Sequence, residues 1–348
     1  MSNASARSFD DANAISSGAF SWEGKRVLVT GGAGFVGSYL VEDLIHLGAR
    51  VRVADDLSSG SLDNLAGVAD HLEFVRADLR DRDSALKAGE GVDVVLHLAA
   101  KAFGMLFSMS HNYDVLRDNV AMVLNVLDSC LENNVERVLL VSSSCVYDDG
   151  APIPTPELPV HEGLPESVNE GYGWAKRMLE IQGRYAYEQF GLPIAIVRPY
   201  NAYGGRYQWQ GDASHVVPSL VKKVMDRNGP VVVWGSGEQV RDLLHARDFA
   251  LGFRLATEQA VDCEPVNLAG GTTITLNDLV RKVADMAGLE IELEHDLSKQ
   301  EGRRVKEADL TRLAAKVPAF RQTVSLEDGL ADMLDWYAGN LASGTFSK

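Results

Sequence analysis

The apolar positions change period along the chain, and the changes predict its elements. Residues 1–23 are Ser-, Ala-, Asn- and Asp-rich with no apolar core, which predicts a mobile tail. Arg26-Val27-Leu28-Val29-Thr30 then reads as a buried strand, followed by Gly31-Gly32-Ala33-Gly34-Phe35-Val36-Gly37. Val36, Leu40, Leu44 and Leu47 recur at helical spacing until Gly48 ends the pattern. A second strand over 50–54 stops at Asp55-Asp56. Further strands are predicted near 72–76, 92–98, 137–142 and 194–198, with helices over 120–131 and 173–190. Strands alternating with helices mean a parallel sheet covered on both faces. After Pro199 glycines crowd the chain (Gly204, Gly205, Gly211, Gly229, Gly235, Gly237) around shorter elements: helices 216–226 and 276–287 and a strand 231–234. The pattern predicts a first domain over 24–200, rejoined by a helix within about 240–260, and a smaller α/β domain over 201–348.

Composition narrows the partners. The chain has 348 residues, 46% of them apolar, enough for a sizeable core. Asp plus Glu number 49 against 33 Lys plus Arg, a net charge of −16, which argues against nonspecific binding to nucleic acid or an anionic membrane. An anionic substrate then needs a locally basic pocket. Three scattered cysteines, Cys130, Cys145 and Cys263, make neither a disulfide framework nor a zinc site. No apolar run approaches 18 residues and no secretory signal is evident, so the expected compartment is the cytoplasm.

The glycine run spaces Gly31, Gly34 and Gly37 as G-x-x-G-x-x-G between a strand and a helix. That context is the doubly wound, Rossmann-type dinucleotide cradle. Gly31 allows a tight turn, Gly34 a close approach of pyrophosphate, and Gly37 close helix–strand packing. The helix N-terminus adds free N–H groups and partial positive charge. Asp55 follows 18 residues after Gly37, where a carboxylate accepts from an adenosine ribose and repels a 2′-phosphate, favouring NAD over NADP. The alternative for Asp55 is a turn carboxylate. Asp78, with Leu79, lines the adenine edge in one reading and is a helix cap in the other.

Tyr172 and Lys176 lie four apart at a helix start, on one face. An ammonium near a phenol favours the phenolate, which takes a proton from a sugar hydroxyl as hydride leaves the same carbon. Ser143, at the end of a strand, shares that proton in this reading. A surface Tyr-Lys pair is the plain alternative.

Together these motifs resemble the extended short-chain dehydrogenase/reductase superfamily, in its NAD-dependent sugar-nucleotide epimerase/dehydratase branch. The resemblance runs from Lys25 to the C-terminus. It is carried by the glycine run, Asp55, His97-Leu98-Ala99-Ala100, Asn119, Ser142-Ser143-Ser144-Cys145-Val146-Tyr147, Tyr172-Gly173-Trp174-Ala175-Lys176, Arg198-Pro199-Tyr200-Asn201-Ala202-Tyr203-Gly204 and Gly235-Ser236-Gly237-Glu238-Gln239-Val240-Arg241-Asp242. It implies NAD held by Gly31, Gly34, Phe35, Val36, Gly37, Asp55, Asp78, Leu79, Leu98, Ala99, Ala100, Asn119, Tyr172 and Lys176. It implies Ser143, Tyr172 and Lys176 as catalytic triad, and a nucleotide sugar near Ser144, Asn201, Trp209, Arg241 and Arg304. A homodimer built on the two helices around 120–131 and 173–190 is also implied. Arg241 is the candidate for the diphosphate; Arg304 is either a second or a merely solvated cation.

Two residues after Ser143 the chain has Cys145, and Ser214-His215-Val216-Val217-Pro218 follows later. These resemble the GDP-mannose 3,5-epimerase and GDP-fucose synthase branches, where a thiol and a second group act as acid and base. A ketone at carbon 4 makes the protons on carbons 3 and 5 acidic, so one group removes a proton and another returns one on the opposite face. Singly, Cys145 reads as a small hydrophobe and His215 as structural. The expectation is a redox-neutral epimerase acting at carbon 3 or 5 of a nucleotide sugar, GDP-linked by resemblance. GDP-fucose synthases instead prefer NADPH and end with a reduction, against which Asp55 argues. The alternatives are a 4-epimerase of the UDP-glucose kind, a keto-sugar reductase or dehydratase, and a non-catalytic NAD-binding redox sensor.

Overall fold

The computed structural model describes residues 20–102, 104–207 and 215–342, without the side chains of 105–107 and 341–342. Seven strands form the central sheet: β1 (Arg26–Thr30), β2 (Arg50–Asp55), β3 (Leu72–Arg76), β4 (Val94–His97), β5 (Arg137–Val141), β6 (Ile194–Pro199) and β10 (Asp262–Leu268). All run parallel, in the order β10-β6-β5-β4-β1-β2-β3. Side chains alternate between two cores. Val27, Val29, Val51, Val53 and Leu96 meet helices α1 (Phe35–His46) and α7 (Ala246–Gln259). Leu28, Val95, Val138, Leu140 and Ile196 meet α2 (Arg82–Gly89), α4 (Asn112–Glu132) and α5 (Glu170–Phe190). A short α3 (Met105–Ser110) precedes α4.

The strand order reverses between β1 and β4. A crevice opens there, at the carboxyl ends of the strands, where such sheets take their ligands. The glycine run leaves β1 at that point.

The smaller unit is built on β9 (Val240–His245), which pairs with β7 (Asn201–Tyr203), β11 (Thr273–Thr275) and β13 (Val305–Lys306). A separate pair joins β8 (Val231–Trp234) to β12 (Leu293–Asp296). Helices α6 (Val216–Met225), α8 (Leu276–Met286) and α10 (Leu326–Ala342) enclose its core around Leu220, Val221, Leu279, Val283, Met333 and Tyr337. Helix α9 (Thr311–Lys316) instead returns Leu313 to the first core.

Three expectations shift. The tail expected to run to residue 23 ends sooner, because Trp22 is 3% exposed in the first core and its Nε1 donates to Glu258 at 2.7 Å. The return to the first domain reaches beyond about 260: β10 adds the seventh strand and α9 covers the sheet. The helix expected over 120–131 starts at Asn112, since its first turns carry Asp114, Arg117 and Asp118, which hide the buried stripe Val115–Asn119–Met122–Val126. Among the described residues no helix is long and apolar enough to cross a membrane.

Candidate active site

The cradle forms because two glycines are required where they stand. Gly31 has φ +70°, and a Cβ there would lie 2.8 Å from the Ala99 nitrogen. A Cβ on Gly37 would sit 2.2 Å from the Gly31 carbonyl oxygen, so α1 packs this close only with glycine. Gly34 caps α1 without any side-chain hydrogen bond, leaving the first-turn N–H groups to a ligand. Phe35 packs edge-on to Tyr207, 5.0 Å between centroids, and Val36 packs on the first core.

Asp55 ends β2, 8% exposed. Its Oδ2 accepts from Ala33 N at 3.1 Å and its Oδ1 from Leu57 N at 2.8 Å. The carboxylate therefore stands at the crevice as a ribose acceptor should, and also makes the turn. Burial raises its pKa. Asp56 beside it pairs with Lys101 at 3.0 Å. An uncapped helix start, a glycine turn and a buried acid at the next strand end fit a nicotinamide dinucleotide.

Other expected cofactor residues do structural work. Asp78 pairs with Arg80 at 2.7 Å and is not a helix cap; Asp81 caps α2. Leu79 is buried in the second core, joined by half-buried Ala99, while Leu98 packs on the first; Ala100 is half-buried. Asn119 accepts from Lys101 N at 2.9 Å and donates to Lys101 and Val115 carbonyls, which fixes the loop after β4.

Ser143 follows β5, and its Oγ accepts from Cys145 N at 3.1 Å, capping a short turn over Ser144–Val146. Its hydroxyl also faces Tyr172 and favours the phenolate, against burial. Tyr172 and Lys176 come from α5. The Lys176 ammonium lies 5.5 Å from the Tyr172 ring centre and donates to the Val141 carbonyl at 2.6 Å, not to the phenol. Burial pushes Lys176 down to about 8 and holds the Tyr172 pKa above that of a free phenol, so the lysine has not lowered it in this state.

Cys145 is half-buried beside Ser143. Burial and the Glu166 charge push its thiol up to about 12; Lys306 and Ser143 oppose this. His215 stands at the N-cap of α6, exposed to solvent on one side. Its Nδ1 is hydrogen-bonded to the Tyr207 hydroxyl, and the rings meet edge-on. Desolvation of the ring by its neighbours and the Lys306 charge push it down to about 4. Lys306 thus acts on both Cys145 and His215.

Arg241, on β9, is 7% exposed, and Nη1 donates to the carbonyls of Val240 and Arg303. Lys306 is its register partner on β13 and is 9% exposed. Arg304 is exposed, and its carbonyl serves β9. The buried neighbour is Arg303, donating to the Ala151 carbonyl and the Thr155 hydroxyl. Ser144 is buried beside Ser143; Asn201 ties β7 to the Asp242 carbonyl at 3.1 Å. Trp209 lies outside the described residues.

Sequence reasoning missed Glu166, Asn169 and Lys306. Glu166 is 2% exposed and pairs with Lys306 at 2.7 Å. Lys306 lies in a two-residue strand, too short for any period, and the motif argument settled on Arg304 two residues away. Trp234, beside the Gly235 segment, was missed too; Lys223 and Lys299 lie 5.1 and 5.5 Å from its ring centre.

The geometry agrees with known proteins. Residues 27–269 match the model of the NAD dependent epimerase/dehydratase family. GDP-L-fucose synthase 1 of Arabidopsis thaliana is 31% identical over 323 residues, covering 91% of this chain and 94% of the relative. UDP-glucose 4-epimerase of Thermotoga maritima, solved with UDP-glucose, superposes with a TM-score of 0.82 at 27% identity, covering 91% of this chain and 99% of that one. The Thermus thermophilus UDP-glucose 4-epimerase, solved with NAD, gives 0.78 at 27%, covering 90% and 99%. A parallel sheet with a glycine cradle at its switch point, a Ser–Tyr–Lys set beside it and a match over most of the chain lead to one assignment: this protein is an enzyme of the NAD-dependent epimerase/dehydratase family.

Proposed function

We propose that the chain is an NAD-dependent nucleotide-sugar epimerase that inverts carbon 3, carbon 5 or both of a hexose, GDP-linked by its likeness to the GDP-L-fucose synthases. One arrangement carries the reading: Cys145 follows Ser143 in the turn after β5, with Asn169 at its sulfur and the Glu166–Lys306 pair beside it, and His215 stands at the start of α6 bonded to Tyr207.

Gly31, Gly34, Gly37 and the start of α1 hold the pyrophosphate of NAD, and Asp55 its ribose. When bound there, NAD would supply a hydride acceptor for the sugar carbon. Tyr172 moves the proton of the sugar hydroxyl, with Ser143 beside the phenol and Lys176 supplying positive charge nearby. Arg241 holds the substrate diphosphate, a buried cation with no carboxylate paired to it among the described residues, in an otherwise acidic protein. Cys145, its pKa held high, gives a proton to the ring; His215, neutral at pH 7, takes one. The exchange inverts a carbon that an adjacent ketone has made acidic.

Turnover of GDP-, UDP-, dTDP- and CDP-hexoses in deuterated water tests this. The expected product carries ring deuterium at carbon 3 or 5, with no net use of added reduced dinucleotide, and stripped protein binds NAD more tightly than NADP. Unlabelled product inverted at carbon 4 would make the enzyme a 4-epimerase. The second reading, favoured by the fucose synthase likeness, adds a terminal reduction; stoichiometric loss of NADPH absorbance would establish it.

We also infer a homodimer through α4 and α5, which pack together and expose Tyr113, Leu124, Tyr185 and Phe190 at 73%, 51%, 63% and 58%. Light scattering should give twice the chain mass, and Leu124→Glu with Tyr185→Glu should halve it; a wild-type monomer refutes the interface.

A further inference from the structure

Glu166 has no part in the mechanism above, yet it is a carboxylate 2% exposed at the active thiol. Its backbone N–H donates to the Cys145 carbonyl at 3.1 Å, which fixes the two residues against each other. Its carboxylate faces the Cys145 side chain closely enough that its charge raises the thiol pKa. Lys306 Nζ holds that carboxylate at 2.7 Å from β13, and Asn169 Nδ2 reaches it at 3.4 Å and the Cys145 sulfur at 3.9 Å. The other groups facing the thiol are the Ser143 and Tyr172 hydroxyls, the Lys176 ammonium and the Arg241 guanidinium. Only Glu166 among them is an anion. A buried ion pair alone is weak evidence of any role beyond architecture. This one is aimed at a sulfur.

We propose that Glu166 is a positioning residue for Cys145: its carboxylate, fixed by Lys306 and Asn169, accepts the thiol hydrogen bond and keeps Cys145 as the S–H that gives a proton to the sugar ring. The proposal rests on the reading of Cys145 as the ring's proton donor. In that step the S–H bond breaks, a C–H bond forms at the enolate carbon, the electron pair stays on sulfur, and solvent water returns the proton. Glu166 sets which partner starts with the proton; it does not itself touch the sugar.

Alkylation of Cys145 tests the contact without turnover. Purified protein is treated with iodoacetamide at pH 8 and peptides are mapped, which separates Cys145 from Cys130 and Cys263. Glu166→Gln removes the anion and should speed Cys145 alkylation about tenfold or more, since one pKa unit is a tenfold change in thiolate. Lys306→Met leaves the anion uncompensated and should slow it by a similar factor. Loss of packing alone would move both variants the same way, and either that result or two unchanged rates overturns the proposal. If Glu166→Gln does not fold, the direction of Lys306→Met decides. Wild-type protein gives a third measure. Its S–H infrared band, isolated by subtracting Cys145→Ser, should be present at pH 8 and lie below the bands of the other two thiols; its absence means a thiolate and refutes the role. Should alkylation behave as expected while ring deuterium never appears, the epimerase reading fails and the contact stands; the reverse pattern sinks the contact alone.

Discussion

At the residue scale the proposed chemistry rests on one phenol. Tyr172 is half-buried, facing Ser143, with the Lys176 ammonium at 5.5 Å from its ring centre. Tyr172→Phe keeps the ring and the packing of α5 and removes only the hydroxyl. Turnover should fall at least a hundredfold, the range for a lost general acid–base group, while NAD affinity changes less than threefold. Rapid kinetics and NAD titration check both; wild-type turnover in the variant would take Tyr172 out of the mechanism. Asp55, Ser143, Tyr172 and Lys176 were legible because each stands at a strand or helix end that the local pattern marks. Cys145 and His215 were legible as residue types. Their opposite pKa shifts were not, since these come from Glu166, Lys306 and the cleft walls, 21 to 161 positions from Cys145 in sequence.

At the scale of elements, β9 joins three strands and is anchored by a buried acid. Asp242 is 0% exposed, and its Oδ1 accepts from Gly270 N and Gly271 N, each at 3.0 Å. Burial outweighs those bonds and raises its pKa to about 6. The folded protein therefore holds a proton on Asp242 that the unfolded chain has released. This contribution is full below about pH 4 and is lost as pH rises through 6, on the order of 3 kcal/mol at about 1.4 per unit. Asp242→Asn should remove this part of the pH dependence, measured as urea midpoints at pH 4.5 and 7. An unchanged dependence would show that Asp242 does not titrate there. Nothing in Val240-Arg241-Asp242-Leu243-Leu244 marks β9 as the hub of a sheet, because β7, β11 and β13 reach it from 39 residues before to 66 after.

At the scale of the molecule, distant segments lock the first domain together. Trp22 lies under α7 and bonds Glu258, which also takes Arg254 at 2.6 Å; Arg254 in turn bonds Asp43 of α1 at 2.6 Å. Trp22→Ala should cost about 3–5 kcal/mol by lost burial and cavity. Trp22→Phe keeps most of the burial and loses the indole hydrogen bond to a charged acceptor, costing about 1.5–3 kcal/mol. Chemical denaturation gives both values. Equal stability of Trp22→Ala and wild type would mean that the segment does not dock in solution. The tail reading failed here because Phe20 and Trp22 sit in a polar stretch with no period, and two isolated aromatics carry no local signal.

What the amino-acid sequence determined by itself was the parallel α/β sheet, the glycine cradle, the acid after the second strand and the Tyr–Lys pair. Each depends on neighbours within one turn or one strand, so spacing alone specifies it. Tertiary structure decided what non-local contacts make: β10 added to the sheet edge beside β6 after 62 intervening residues, and Lys306 brought beside Arg241. It also decided the face that Glu166 turns to the thiol. The loop before α5 shows no period, and only its hydrogen bonds to Cys145, Asn169 and Lys306 set where that carboxylate points.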